Sequence, residues 1–308
     1  DIINDRTISK EVYCMITSDP QTVVGFIGTG VMGKSMARHI MNKGFPLVVY
    51  TRSKEKANEL LEHGAKWADS PKELAKQVDV VISIVGYPKD VEEIYLGEEG
   101  IIQNAHPGTY IIDMTTSKPS LAKKIYLEAK KYDVISLDAP VSGGDIGAKN
   151  GNLAIMVGGD EKAFNDVKPL LECMGTNIVY QGSAGSGQHT KMCNQIVIAS
   201  NMIGVCEAIV YAEKAGLQPD KVLESISTGA AGSWSLSNLA PRILNEDFSP
   251  GFFVKHFIKD MQIALEEANE MDMETPGLSL SKKMYEQISE QGESESGTQA
   301  LKKYWDKK

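Results

Sequence analysis

The sequence predicts an α/β fold in which a doubly wound, mainly parallel sheet domain is followed by an all-α domain. Short β-branched apolar runs alternate with helical patterns over residues 21–184. A glycine-rich turn joins the first run to the first helical pattern, and strand signals stop after about Gly187. Because parallel strands join through right-handed helical crossovers, this alternation predicts one sheet. We therefore expect a sheet domain over 21–184 and a helical domain over 185–308, opened by a long interdomain helix.

Short apolar runs bounded by glycine, proline or charged residues predict the strands. The first run, VVGFI, leads directly into the glycine-rich turn. The predicted strands are residues 23–27, 47–50, 78–85, 110–114, 134–137, 153–157 and 178–180.

Apolar residues at helical spacing predict the helices. In the sheet domain these cover residues 34–43, 54–62, 90–95 and 120–131. In the helical domain they cover residues 188–215, 219–227, 235–244, 254–271, 279–291 and 298–304. The 188–215 segment is apolar nearly all round its middle, which is typical of a helix buried in a core or a large interface. We therefore expect a homodimer or a homotetramer.

Composition and charge exclude several classes of protein. Hydrophobic residues make up 42% and charged residues 24% of the 308 residues, as in folded globular chains and unlike disordered ones. The net charge of −9 argues against a nucleic-acid partner, since such proteins are usually basic. No unbroken apolar run approaches the roughly 18 residues that cross a bilayer, so we expect no membrane-spanning segment.

The beginning of the chain and its cysteines give further expectations. Residues 1–20 resemble no secretory signal and are expected to form an extension that is flexible or docked only locally. The four cysteines, Cys14, Cys173, Cys193 and Cys206, form no C-x-x-C pair, which is typical of reduced thiols in a cytoplasmic protein. The five histidines lack the spacing of metal ligands, so no metal site is expected.

A G-x-G-x-x-G segment lies between the first strand and the first helix. Its first glycine allows a tight turn, its second lets the backbone approach a pyrophosphate, and its third lets helix and strand pack closely. The following helix N-terminus offers N–H groups to phosphates. A plain βα turn is the structural alternative, but this context predicts a Rossmann dinucleotide-binding domain. The expected cofactor contacts are Gly28, Thr29, Gly30, Val31, Met32 and Gly33.

The end of the second strand bears on which dinucleotide binds. NAD sites usually place an acidic residue about 20 residues after the motif to hold the ribose hydroxyls. This chain has Arg52, Ser53 and Lys54 there, and the first acid is Glu55. A guanidinium at Arg52 would bind a 2′-phosphate, with Ser53 and Lys54 assisting. We therefore favour NADP(H), with NAD(H) as the alternative if Arg52 only stacks on adenine or faces solvent.

Four segments, in order, resemble the β-hydroxyacid dehydrogenase family, which includes 3-hydroxyisobutyrate dehydrogenase and the glyoxylate and succinic semialdehyde reductases. The resemblance covers residues 23–304. The segments are GFIGTGVMG from Gly25, DAPVSGG from Asp138, GSGQHTKMCN from Gly185 and KDM from Lys259. Thr29 and Thr115 replace a leucine and a serine that are common in the family, and neither replacement removes a catalytic group.

The resemblance implies hydride transfer between NADP(H) or NAD(H) and a small β-hydroxy acid or its semialdehyde. The substrate class is 3-hydroxyisobutyrate, 2-hydroxy-3-oxopropanoate, succinic semialdehyde or glyoxylate. Such a reaction needs a proton donor within hydrogen-bond reach of the developing alkoxide. Lys191 is the catalytic candidate, as general acid or base, and partial burial would lower its pKa. Without the family resemblance, Lys191 would be interpreted as a solvated surface lysine. The resemblance reverses that interpretation.

Other candidate residues follow from the same resemblance. Asn194 lies one helical step from Lys191 and can hold the substrate oxygen, while Gln195 is a weaker candidate. Ser142, Gly143 and Gly144 follow a strand at the carboxyl edge of the sheet, where exposed N–H groups suit the substrate carboxylate. Finally, Thr116 and Lys259 resemble family residues that contact the cofactor.

Two other interpretations remain open from sequence. One is a different enzyme of related architecture, either 6-phosphogluconate dehydrogenase, usually a longer chain, or an imine reductase, which commonly lacks the lysine. The other is a catalytically inactive dinucleotide-binding sensor or scaffold. A sensor would tolerate loss of Lys191 and Asn194, yet both are present with intact spacing.

Overall fold

The computed structural model describes residues 21–306, so the predicted extension over residues 1–20 lies outside the described part of the chain. One nine-stranded sheet organises the first part of these residues. Its strands are β1 (Val24–Ile27), β2 (Leu47–Tyr50), β3 (Lys66–Trp67), β4 (Val80–Ser83), β5 (Tyr110–Asp113), β6 (Ile135–Asp138), β7 (Val141–Ser142), β8 (Leu153–Gly158) and β9 (Gly175–Gly182).

The strand order is β3-β2-β1-β4-β5-β6-β8-β7, and β9 pairs with β8. The pairs from β3 through β6 are all parallel, whereas β8 is antiparallel to β6 and β7. β2 and β4 flank β1, so the chain winds outward from β1 in both directions. The crevice outside the carboxyl ends of such strands is where doubly wound folds bind ligands. The mainly parallel sheet confirms the predicted fold class.

Helices alternate with these strands and cover the sheet. They are α1 (Gly33–Asn42), α2 (Asn58–Glu62), α3 (Pro71–Ala75), α4 (Pro88–Leu96), α5 (Pro119–Lys130), α6 (Gly144–Asn150) and α7 (Glu161–Leu171). Neighbouring strand residues belong to different apolar clusters: Phe26 and Ile112 pack in one, Ile27 and Ile111 in the other. The central strands are therefore buried on both faces, which explains their continuous apolar runs.

The remainder of the described chain is helical. It contains α8 (Ser186–Lys214), α9 (Pro219–Ile226), α10 (Trp234–Asn238), α11 (Ala240–Leu244), α12 (Val254–Glu270) and α13 (Pro276–Ile288), then a 3₁₀ helix at Thr298–Tyr304. Cys206 of α8, Phe257 of α12 and Tyr285 of α13 are almost fully buried in one apolar core. The chain divides into two compact units, one ending at Thr190 and one beginning at Lys191, so the division falls inside α8.

The apolar character of α8 bears on the expectation that no segment spans a membrane. Among residues 21–306, α8 is long and apolar enough to cross a membrane, with a mean hydropathy of 1.5 over its most apolar 18-residue window. Within the protein, 44% of that window is buried. Core helices of soluble proteins pass the same test, so this helix is only weak evidence for a membrane span.

Candidate active site

The glycine-rich turn has the shape that a bound pyrophosphate requires. Gly28 has a φ of +96°, and a Cβ there would lie 2.1 Å from the Ile84 carbonyl oxygen. A Cβ at Gly33 would lie 1.9 Å from the Gly28 carbonyl oxygen. At Gly30, in contrast, a Cβ would meet no heavy atom of the described chain within 4 Å. Two glycines are therefore needed for close packing, while the middle one leaves its backbone open to a ligand.

Thr29 adds a polar group to this turn. Its side chain is buried, and its Oγ1 has no hydrogen-bond partner among residues 21–306. A buried hydroxyl without a partner is costly unless a ligand or a water completes it. The unsatisfied hydroxyl and the open backbone at Gly30 fit a dinucleotide phosphate. Val31, in contrast, is half exposed.

Arg52 lies just beyond the carboxyl end of β2, where a phosphate on the adenosine ribose would bind. Its side chain is 67% exposed, and its guanidinium donates to Asp90 near the start of α4. The hydrogen bond that Arg52 donates to Asp90 holds the pKa of Arg52 above its usual value. The Lys54 ammonium lies 4.9 Å from the centre of the Trp67 ring. Ser53, between Arg52 and Lys54 in the sequence, is half-buried. Two exposed cations, Arg52 and Lys54, thus lie at this strand end.

A buried polar network shapes the loop that carries Thr116. Asp113 Oδ1 accepts hydrogen bonds from Ser83 Oγ at 3.0 Å and from the Thr115 backbone N–H at 3.1 Å. Thr115 Oγ1 accepts from the Val85 N–H at 2.9 Å. Burial raises the pKa of Asp113 to about 6. These bonds tie the loop after β5 to the loop after β4, so the half-buried Thr116 follows a fixed backbone.

Asp138, at the end of β6, holds the beginning of α8. Its Oδ1 accepts from the Gly185 N–H at 2.8 Å and its Oδ2 from the Gln188 N–H at 2.9 Å. Burial raises the pKa of this carboxyl group, while those hydrogen bonds act in the opposite direction. A carboxylate at a helix N-terminus satisfies N–H groups that have no partner within the helix. Sequence reasoning did not assign this role, because nothing local connects residues 138 and 188.

Gln188 also holds the beginning of α8 in place. Its side chain is fully buried, its Oε1 accepts from the Ser117 N–H at 2.9 Å, and its Nε2 donates to the Thr115 carbonyl oxygen at 2.7 Å. The first turn of α8 is therefore bound to the loops after both β5 and β6. Gln188 was not among the predicted site residues.

The predicted carboxylate-binding segment lies where β7 passes into α6. Ser142 pairs with Ala154 of β8, and all three residues, Ser142, Gly143 and Gly144, are half-buried. Gly143 and Gly144 have φ values of +132° and +61°, conformations that other residues rarely adopt. A Cβ at Gly144 would meet no heavy atom within 4 Å among the described residues. The segment therefore combines a turn that requires glycine with open backbone at Gly144.

In the second unit, Lys191 lies in the continuation of α8 and is only 7% exposed. Burial lowers its pKa to about 8; of the two neighbouring charges, Asp260 acts to raise it and Lys259 to lower it. A lysine with a pKa near 8 can both donate and accept a proton near neutral pH.

Three side chains near Lys191 form a connected set. Asn194 Nδ2 donates to Gln195 Oε1 at 2.7 Å, and Gln195 Nε2 donates to Asp260 Oδ2 at 2.7 Å. The Lys259 ammonium lies 2.9 Å from Asp260 Oδ1, an ion pair without hydrogen-bond geometry. The structure thus brings the predicted Lys259 to Asp260, a residue of the KDM segment that had no assigned role. It also places the weaker candidate Gln195 at the centre of the set.

Two family models match the chain over most of its length. The first, described as the NAD binding domain of 6-phosphogluconate dehydrogenase, covers residues 23–182. The second, described as the NAD-binding region of NADP-dependent 3-hydroxyisobutyrate dehydrogenase, covers residues 185–305. The two matches meet close to the predicted boundary between the sheet and helical domains.

Individual relatives agree with these matches. An uncharacterized oxidoreductase of Bacillus subtilis is 65% identical over 282 residues, covering 92% of this chain and 98% of its own. A probable 3-hydroxyisobutyrate dehydrogenase-like mitochondrial protein of Arabidopsis thaliana is 47% identical over 294 residues, covering 95% and 88%.

A solved structure gives the same result. The 3-hydroxyisobutyrate dehydrogenase of Mycobacterium tuberculosis, determined with L-serine, superimposes with a TM-score of 0.83 at 29% identity, covering 92% of this chain and 98% of its own. The glycine-rich turn, the buried Lys191 and these matches lead to one conclusion. The chain belongs to the β-hydroxyacid dehydrogenase family of oxidoreductases, which use a nicotinamide dinucleotide.

Proposed function

We propose that this protein transfers a hydride between NADP(H) and a small β-hydroxy acid or its semialdehyde, with Lys191 as the general acid and base. The observation that carries the proposal is the burial of Lys191, which brings its pKa to about 8 beside Asn194. A surface lysine would stay protonated to much higher pH and would serve poorly as a base.

The residues of the glycine-rich turn would hold the dinucleotide. Gly28, Gly30 and Gly33 shape the turn, and Thr29, Val31 and Met32 complete it. When bound, the cofactor supplies or accepts the hydride. Arg52, with Ser53 and Lys54, would hold a 2′-phosphate, which supports NADP(H) over NAD(H). The match to an NADP-dependent family model supports the same preference. Thr116 and Lys259 would contact the nicotinamide half.

The chain's own groups would perform the proton transfer and orient the substrate. Lys191 Nζ would donate a proton to the substrate oxygen during aldehyde reduction and remove it during alcohol oxidation. Asn194 would hold that same oxygen without titrating. Backbone N–H groups and the hydroxyl of the Ser142–Gly144 turn would bind the substrate carboxylate.

Substrates of the proposed class are 3-hydroxyisobutyrate, 2-hydroxy-3-oxopropanoate, succinic semialdehyde and glyoxylate. L-serine, present in the M. tuberculosis structure, carries a hydroxyl group β to its carboxylate, as a β-hydroxy acid does. That likeness supports a small acid with a hydroxyl or aldehyde group near its carboxylate.

A paired kinetic comparison tests this proposal. Steady-state rates are measured with NADPH and with NADH over a panel of semialdehydes, and with NADP⁺ and NAD⁺ over 3-hydroxy acids. We expect turnover with at least one small acid and a higher kcat/KM with the phosphorylated cofactor. Binding of NADPH without turnover of any panel member would instead favour the sensor or scaffold. Higher kcat/KM with NADH would overturn the cofactor preference alone.

We further propose that the protein is a homodimer or homotetramer, with no nucleic-acid or membrane partner. Support for self-association comes from α8, whose Val197 and Tyr211 side chains are 64% and 74% exposed. The cytoplasmic location stays a prediction: bacterial relatives agree with it, whereas the Arabidopsis relative is named mitochondrial.

A further inference from the structure

His39 joins two helices that each follow one of the predicted ligand-binding turns. It lies in the last turn of α1, the helix that follows the glycine-rich turn. Its Nε2 atom is 3.0 Å from the carbonyl oxygens of both Ala148 and Lys149 in α6, the helix that follows the Ser142–Gly144 turn. Because both partners are carbonyl oxygens, Nε2 must carry a proton and donate to them.

The helix that His39 holds is short and is bounded by glycines. α6 has seven residues. Gly143 and Gly144 at its start have φ values of +132° and +61°, and Gly151 at its end has a φ of +66°. Because glycine has the widest backbone freedom, the backbone at either end restrains α6 only weakly. The position of α6 therefore depends on what it packs against.

α1 provides both the apolar and the polar contacts for that packing. Ala148 of α6 is fully buried in the same apolar cluster as Ala37 and Ile40 of α1. Apolar packing is not directional, so it does not by itself fix how α6 slides or rotates on α1. The hydrogen bonds from His39 are directional, and they reach carbonyl groups that have no partner within α6.

The end of α6 closes directly against the imidazole ring. A Cβ at Gly151 would lie 3.2 Å from His39 Cε1 and 3.3 Å from Nε2. The absence of a side chain at position 151 thus leaves the space that the ring occupies. The contact between the two helices is therefore specific in its shape as well as in its hydrogen bonds.

We propose that His39 is a positioning residue that fixes the Ser142–Gly144 turn relative to the glycine-rich turn, so that a small carboxylate binds beside a bound dinucleotide. This inference rests on the proposed function, which makes the first turn the carboxylate site and the second the pyrophosphate site. His39 acts through α6 and is not itself a catalytic residue.

Two substitutions at position 39 separate the hydrogen bonds from the bulk of the side chain. His39→Leu keeps a large side chain and removes the donor. His39→Gln keeps a donor on a side chain of similar reach, and its NH₂ group can donate to both carbonyl oxygens. Leucine and glutamine are both uncharged, so the comparison between the two variants involves no change of charge.

The readout is equilibrium binding of the 3-hydroxy acids of the panel to the NADPH complex. Acid and cofactor are then both reduced, so no hydride is transferred and the Kd is measured without catalysis. We expect His39→Leu to raise the acid Kd about 5- to 10-fold, the range of one or two net hydrogen bonds. His39→Gln should stay within about twofold of the wild type. The Kd for NADPH without acid should change less than about twofold in both variants, because the glycine-rich turn is intact.

A second variant disturbs the same contact while His39 is retained. Asparagine tolerates the left-handed backbone at Gly151 better than other side chains do. In Gly151→Asn, however, the added Cβ would press on the imidazole ring and displace it from the carbonyl oxygens. We expect the acid Kd of this variant to rise about threefold or more. Should His39→Leu unfold the protein, Gly151→Asn decides.

A matched control is a second histidine at the end of a short helix. His106 Nε2 lies 2.9 Å from the carbonyl oxygen of Lys76, the residue that follows α3. α3 follows neither of the two ligand-binding turns. His106→Leu should therefore leave the acid Kd within about twofold of the wild type.

Turnover and binding distinguish this inference from the proposed function. If the wild type turns over panel substrates but His39→Leu and Gly151→Asn bind acid normally, the positioning role is overturned and the proposed function stands. If the wild type turns over none of them, yet His39→Leu weakens acid binding and His39→Gln does not, the proposed function is overturned and the positioning role stands. A wild type that binds no acid would overturn both.

A merely structural role gives a different pattern. It would lower the unfolding midpoint of His39→Leu and leave the acid Kd of the folded protein unchanged. Equal weakening of acid binding by His39→Leu and His39→Gln, or by His106→Leu, would also overturn the positioning role. So would a loss of NADPH affinity as large as the loss of acid affinity.

Discussion

At the scale of single residues, burial gives Lys191 an acid-base range that an exposed lysine lacks. Its pKa near 8 compares with the ordinary 10.5. The base in alcohol oxidation is the neutral amine, so kcat/KM for the hydroxy acid should rise with pH and level off above about 8. The acid in aldehyde reduction is the ammonium, so kcat/KM for the semialdehyde should fall above about 8. Both pH profiles are measured by steady-state kinetics. A first inflection near 10.5 in either profile would contradict the assigned role.

Arg52 is the residue on which the cofactor preference depends. Its guanidinium is mostly exposed and is paired with Asp90. A 2′-phosphate can therefore contact Arg52 from the solvent side without burying the guanidinium. We expect Arg52→Gln to raise KM for NADPH about 10- to 100-fold, the range of a lost hydrogen bond to a charged group. KM for NADH should stay within about twofold. Lys72→Gln, which removes a half-buried cation bound to a glutamate, is the control. Equal losses with both cofactors would remove Arg52 from phosphate recognition.

At the scale of elements, the start of α8 depends on long-range hydrogen bonds. Gln188→Leu would leave the Ser117 N–H and the Thr115 carbonyl oxygen without their present partner. We expect a loss of about 2–4 kcal/mol in the free energy of unfolding, because two buried backbone groups lose hydrogen bonds. Urea unfolding measures the loss. Gln77→Leu, which removes an exposed amide bonded to Glu73, should cost far less. Comparable losses for both variants would show that the buried anchor contributes nothing special.

The hydrophobic pattern within a short segment was sufficient to predict the helices and strands that have such a pattern. The second strand lies where the sequence predicts it, and the helices near residues 90–95 and 254–271 differ only at their ends. Short elements without apolar periodicity were missed: β3, α3, β7 and α6. The prediction also missed α7, although its apolar residues have helical spacing; Pro169 lies near the end of this helix. Two predicted helices were too simple, since 54–57 is 3₁₀ and 235–244 is two helices.

The candidate site likewise has residues that the sequence predicts and residues that only the structure reveals. The glycine turn and Lys191 follow from motifs and from a family resemblance, both of which depend on residues close in sequence. The pairs formed by Gln195 with Asp260 and by Gln188 with Ser117 join residues 65 and 71 positions apart. A single sequence contains no signal for such contacts. These anchoring groups therefore became visible only in the folded chain.

At the scale of the whole molecule, the exposed apolar side of α8 predicts self-association. Val197 and Tyr211 are large apolar side chains left mostly exposed on one long helix. Light scattering coupled to size exclusion should give two or four times the chain mass of 33.6 kDa. Tyr211→Glu should shift the protein toward smaller species, because a charge would be desolvated at the interface. Elution of the wild type at the monomer mass would contradict the prediction.

The central claim, hydride transfer assisted by Lys191, is tested most directly by following deuterium from cofactor to substrate. Wild-type protein is incubated with NADPH deuterated at the transferable position of the nicotinamide and with each semialdehyde, and the product is analysed by mass spectrometry. We expect a hydroxy acid carrying one deuterium on the new carbinol carbon. We expect Lys191→Ala to bind NADPH normally yet lower the yield per unit time about 100-fold or more, while the exposed-lysine control Lys221→Ala keeps the wild-type rate. Product without deuterium, or near-normal transfer by Lys191→Ala, would contradict the account.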